Sequence, residues 1–145
     1  MTLLDKWSDG PVTFMGIQSH GFPNMFMLGG PHSGATFCNV PRCLEQIVEF
    51  VTELVGYMEA NGIDVCEATA EAEADWTNSV LEKADELLAG KTNSWFTGIN
   101  HNIDGRTKRK MLLYTLGQQY YLRFCKDVIE NGYSGYELNR ELSAA

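Results

Sequence analysis

The chain has 145 residues, 44% of them hydrophobic and 21% charged. That suffices for one packed domain, falls short of two ordinary ones, and is too apolar for disorder. A formal net charge of −8 repels phosphates and speaks against nucleic acid as a general partner. The sequence holds no apolar run long enough to cross a bilayer, and its start, MTLLDKWSDGPV, lacks the cationic-then-apolar pattern of a signal peptide. With four scattered cysteines and no CxxC pair, the expectation is a cytoplasmic protein with reduced thiols.

Residues 1–21 are mixed and end in GFPN, a turn signal. MFML, Met25 to Leu28, reads as a strand and runs into the loop GGPHSGATFCN. A helix is predicted over 41–61: Asn39 can cap it and Pro41 suits its first turn. Leu44, Ile47, Val48, Val51, Val55 and Met58 share one face, and Gly62 can close the helix in the left-handed region. Residues 63–68 form a connector or a brief strand. Thr69 then caps a second helix over 70–89, with Trp76, Val80, Ala84 and Leu87 inward. Glu71, Glu73 and Asp75 suit the positive end of its dipole and read as solvated. Residues 91–110 form a long loop, the kind often given to function. MLLYTL, Met111 to Leu116, reads as a strand, and a last helix to residue 131 turns Tyr120, Tyr121, Phe124, Val128 and Ile129 inward. The class is α+β, mostly helical with a few short strands. MFML lacks obvious partner strands for its backbone, so the fold is mostly helical or its partner strands lie on other chain.

The glycine loop invites comparison with known phosphate cradles. Gly29 to Thr36, GGPHSGAT, comes close to a P-loop, but Ala35 stands where the lysine must be and Pro31 removes an N–H. No stretch matches the dinucleotide fingerprint GxGxxG. Cys38, Cys43 and His32 lie near one another but fit no zinc spacing, so no metal is expected.

The loop resembles something else. GFPNMFMLGGP followed by a helix carrying Glu45 and Gln46, EATAEAEADW, Ser94-Trp95-Phe96-Thr97-Gly98, Asn102 to Arg106, Tyr114 with Gly117 and Tyr121, and the closing GYSGY come in a characteristic order. Together they run from about Gly16 to about Tyr136 and are similar to the C-terminal region of Baeyer–Villiger monooxygenases. These are FAD- and NADPH-dependent enzymes related to the flavin-containing monooxygenases. The resemblance implies the C-terminal portion of a flavoprotein with two dinucleotide-binding domains, incomplete on its own. It would comprise a strand and flavin-side loop (24–40), a helix (41–61), a second helix (70–89), a control loop (91–110), and a strand with the final helix (111–131).

The resemblance also implies roles. Gly30 and Pro31 would lie beside the flavin, and the main chain of Asn39 and Val40 would meet its pyrimidine edge at a helix start, where N–H groups and dipole favour negative charge. Otherwise Asn39 only caps the helix. Gly34, Ala35, Thr36 and Phe37 would line the substrate pocket. Trp95 would cover the nicotinamide cofactor and keep water out; without the resemblance it reads as a core tryptophan. Arg106, Lys108, Arg109 and Lys110 either attract the phosphates of NADPH or form a solvated basic turn.

Departures from the family pattern stand at Asp104 and Gly34, each in place of a proline, and at Gln118, in place of a glycine. The family's glycine-rich FAD and NADPH motifs, its fingerprint and its active-site arginine have no match here. The expected whole enzyme uses FAD, NADPH and O2 to turn a ketone into an ester or lactone, with a missing N-terminal cofactor-binding segment. The chain alone is expected to be inactive. The alternatives are a self-standing helical binding protein without catalysis and part of an N- or S-oxygenating flavin monooxygenase.

Overall fold

The computed structural model describes residues 1–33, 39–99, 102 and 109–139. Its elements are α1 (Leu3–Lys6), α2 (Val40–Asn61), β1 (Val65–Ala68), α3 (Ala70–Glu86), α4 (Gln118–Glu130) and β2 (Tyr136–Asn139), with 3-10 turns at Leu88–Lys91 and Trp95–Thr97. β1 and β2 form a two-stranded antiparallel sheet in which Val65 faces Asn139 and Ala68 faces Tyr136.

Local chemistry sets the helix ends. Gly62 closes α2 at φ 61°, a conformation that costs glycine little. The Thr69 hydroxyl accepts from Ala72 N at 3.1 Å and caps α3. α3 stops at Glu86, short of the expected residue 89, because Leu87 turns extended and a 3-10 turn takes over.

Two expected strands do not form. Residues 25–28 and 111–116 carry no ladder and lie outside the strands of the described residues. The reason is visible at β1, whose outer edge is paired by side chains. Gln18 Nε2 donates to Cys66 O at 3.1 Å and Gln18 Oε1 accepts from Ala68 N. Asn24 Oδ1 accepts from Cys66 N, and Asn24 N donates to Cys66 O, each at 2.9 Å. Two amide side chains thus occupy the place of a third strand, and MFML is held instead by a bond from Met27 N to Ile17 O.

The core is aromatic. Trp76 of α3 stacks on Tyr114 with ring centroids 5.1 Å apart and planes 4° from parallel. Phe14, Phe50, Tyr121, Tyr133 and Tyr136 complete it, and the Tyr121 hydroxyl donates to Met15 O at 2.8 Å. α2 turns Cys43, Ile47, Phe50, Leu54 and Met58 inward and leaves Val48 and Val55 exposed, against the expected face. The helix is apolar on two sides, and periodicity cannot choose between them. Leu87 and Tyr120 are likewise exposed. Glu73 is buried, not solvated: its carboxylate accepts from Lys6 Nζ (2.7 Å), Ser19 Oγ (2.7 Å) and His20 N (2.9 Å) and pins the N-terminus to α3.

Cys66 and Cys125 are free and buried, and burial pushes both thiols up to about 12, which keeps them inert at neutral pH. Among the described residues no helix is long and apolar enough to cross a membrane.

Candidate functional site

The glycine loop folds onto residues 14–18. Gly16 sits at φ 68°, and a Cβ there would lie 2.4 Å from Ser33 N. A Cβ on Gly30 would lie 2.6 Å from Gly16 O. Both glycines are required for the two backbones to touch.

His32 follows, 1% exposed and at φ 64°, a region few non-glycine residues adopt. Its N–H donates to Leu112 O at 2.8 Å, and its carbonyl accepts from Trp76 Nε1 at 3.2 Å. Nε2 lies 2.9 Å from Met111 O, a carbonyl that can only accept, so Nε2 carries the proton. Nδ1 lies 3.2 Å from Thr13 Oγ1, whose hydroxyl also faces Pro31 O at 3.1 Å. Burial holds the imidazole below its usual pKa; the Lys110 charge acts the same way and the bond to Met111 opposes it.

Beyond the loop, α2 begins at Val40 with Asn39 in the N-cap position and Pro41 in the first turn. The Asn39 side chain makes no capping hydrogen bond, so capping is not its role here. Asn39 and Val40 are exposed. The start of α2, where helix N–H groups and dipole favour negative charge, thus lies at the surface.

Trp95 is 69% exposed, which removes the core reading. It packs on Phe96, with ring centroids 4.1 Å apart, on a turn closed by Gly98 at φ 71°. Thr97 Oγ1 accepts from Ser94 N and donates to Thr92 O at 3.0 Å. The turn is tied to the next segment by Leu112 N to Phe96 O and Lys110 N to Thr97 O, both 2.8 Å. Arg109 Nε donates to Asn93 Oδ1 at 2.7 Å.

The structure thus joins the glycine loop to the Trp95 turn through residues 110–112. Gly30 and Pro31 are partly buried on the loop side. Gly34, Ala35, Thr36 and Phe37, with Cys38, Arg106 and Lys108, lie outside the described residues. The motif residues Trp76, Tyr114 and Tyr121 are core, packed on one another. Sequence reasoning weighed His32 only as a weak metal donor. Its place as a hub depends on Trp76, Met111 and Leu112, all far along the chain, which no local pattern reveals. Among the described residues no group of three metal-ligating side chains is assembled.

No protein-family model matches the chain. The fold is that of part of a flavoprotein monooxygenase. It matches OTEMO in complex with FAD and NADP with a TM-score of 0.85 at 37% identity, over 95% of this chain and 24% of that one. Among curated proteins it is 39% identical over 136 residues to 2-oxo-Delta(3)-4,5,5-trimethylcyclopentenylacetyl-CoA monooxygenase of Pseudomonas putida, covering 94% of this chain and 25% of that protein. It is 39% identical to the phenazine N-monooxygenase PhzNO1 of Lysobacter antibioticus, covering 99% and 26%. It is 37% identical to the acetone monooxygenase (methyl acetate-forming) of a Gordonia species, covering 95% and 26%. Over nearly its whole length the chain is similar to monooxygenases of the Baeyer–Villiger type, and it spans about a quarter of the relatives it matches.

Proposed function

We propose that this chain is the C-terminal part of an FAD- and NADPH-dependent monooxygenase that inserts one oxygen atom of O2 into a ketone to give an ester or lactone. It supplies one wall of the flavin site and the loop that covers the nicotinamide cofactor. The observation that carries the reading is an exposed tryptophan on a turn hydrogen-bonded, through residues 110–112, to a glycine loop that leads toward an exposed helix start. Similarity to proteins that hold FAD and NADP, and to one that forms methyl acetate from acetone, supports it.

The residues present suit the cofactors. The first turn of α2 is exposed and is not capped by the Asn39 side chain, so a polar, electron-rich ring edge can meet the main chain of Asn39 and Val40. By the resemblance, Gly30 and Pro31 would lie beside the flavin ring, and Gly34, Ala35, Thr36 and Phe37 would line the substrate pocket. When bound, FAD activates oxygen with electrons from NADPH. The chain's own part is to bind and orient the ring, and to exclude water by laying the Trp95 indole over the nicotinamide side. The phosphates of FAD would be held by a segment this chain does not contain, while those of NADPH would meet either that segment or the basic residues Arg106, Lys108, Arg109 and Lys110.

Replacing Trp95 by Ala in the whole FAD-loaded protein tests this. The expected result is an increase of about tenfold or more in KM for NADPH, with more NADPH oxidised per ester formed. Unchanged KM and unchanged coupling would remove Trp95 from the site. A second reading, oxygenation of an aromatic nitrogen, is favoured by the 39% identity to a phenazine N-monooxygenase. Mass spectrometry of products from a ketone and from a phenazine, offered together, separates the two.

A further inference from the structure

We propose that His32 is a positioning residue that locks the glycine loop to the Trp95 turn, so that the flavin-side wall and the covering loop move as one body. The consequence for cofactors rests on the reading above; the mechanical link does not. All four polar groups of His32 are engaged: N–H to Leu112 O, C=O from Trp76 Nε1, Nε2 to Met111 O, and Nδ1 beside Thr13 Oγ1. The partners come from three regions of the chain: residue 13, α3 and residues 111–112. Any buried residue must pair its main-chain N–H and C=O, so what is particular to the histidine is the imidazole, which bridges Met111 O and Thr13 Oγ1 from a left-handed backbone.

The bonds run in series. His32 N holds Leu112 O, Leu112 N holds Phe96 O, and Lys110 N holds Thr97 O, with Trp95 one residue from Phe96. On the other side, Pro31 O and Nδ1 share the Thr13 hydroxyl, and Thr13 is fixed to α3 by paired bonds with Thr77, Thr13 N to Thr77 Oγ1 and Thr77 Oγ1 to Thr13 O, both 3.1 Å. A displacement of the Trp95 turn therefore passes through residues 110–112 to residues 31–33.

The test is hydrogen exchange in the whole protein loaded with FAD, comparing wild type, His32→Leu, which keeps bulk and the main-chain bonds but removes those of the imidazole, and Thr13→Val, which removes the hydroxyl that Nδ1 and Pro31 O share. In His32→Leu the amides of Lys110 and Leu112 are expected to exchange about tenfold faster, while amides of Tyr121 to Val128 in α4 stay within about twofold. Thr13→Val is expected to speed the same two amides by about threefold. Equal acceleration everywhere, or none at Lys110 and Leu112, would overturn the proposal; should His32→Leu fail to fold, Thr13→Val decides alone by the same criterion. Added NADP+ is expected to slow exchange in residues 30–33 and 95–98 together in wild type, and only in 95–98 in Thr13→Val. If NADP+ protects neither segment in wild type, the cofactor reading fails, while the exchange comparison without NADP+ still judges the lock.

Discussion

His32 shows how one buried titratable side chain can set the pH response of a site. Its imidazole sits below the usual range because burial penalises the charged form, with Lys110 adding to the effect. The unfolded chain, with a histidine pKa of about 6.5, takes up the proton first. The stabilisation from a neutral His32 is therefore complete above about pH 6.5 and is lost as pH falls below that, toward the folded value. Urea unfolding should show wild type losing more stability than His32→Gln between about pH 7.5 and about pH 5.5. Equal losses would mean that His32 does not titrate differently in the two states. At this scale the sequence was legible where a residue acts locally. Thr69 as a cap and Gly62 as a helix end follow from their neighbours alone. Glu73 read as solvated, because Lys6, Ser19 and His20 reach it from 53 to 67 residues away.

Among the elements, helices were easier to read than strands because their hydrogen bonds are internal. Strands need partners, and here the partners of β1 are β2 on one edge and two side-chain amides on the other. No periodicity announces that Gln18 replaces a strand, so MFML looked like one. Gln18 is fully buried and bonded to both Cys66 O and Ala68 N. Gln18→Ala keeps Cys66 O paired through Asn24 N but strips Ala68 N of its acceptor. An unsatisfied buried N–H costs about 1–3 kcal/mol, and that is the loss expected from urea midpoints. A loss below about 0.5 kcal/mol would show that another acceptor moves in. Residues 111–116 form no strand either; their main chain is held by separate bonds, with Leu112 O accepting from His32 N and Leu112 N donating to Phe96 O.

For the whole molecule, the proposed reading gives this chain only part of the cofactor site. It holds an exposed helix start, a glycine loop and an exposed tryptophan, and it spans about a quarter of the relatives it matches. The family was legible because its motifs fall in order along the chain, although most of their aromatic residues turn out to be core: Trp76 stacks on Tyr114, and Tyr121 closes on Met15. The pocket residues Gly34 to Phe37 lie outside the described residues, and Val40, Val48 and Val55 are exposed on α2. Tight binding of FAD needs its phosphates held by main-chain N–H groups at a glycine-rich turn, and no such fingerprint stands in these 145 residues. The chain by itself is therefore expected to leave FAD behind on gel filtration, with no visible flavin absorbance in the protein peak, and to show no NADPH-dependent ester formation. Flavin that travels with the 145-residue chain at about one per chain would place the main cofactor contacts at the α2 start and the glycine loop, and would make this piece a flavin-binding unit in its own right.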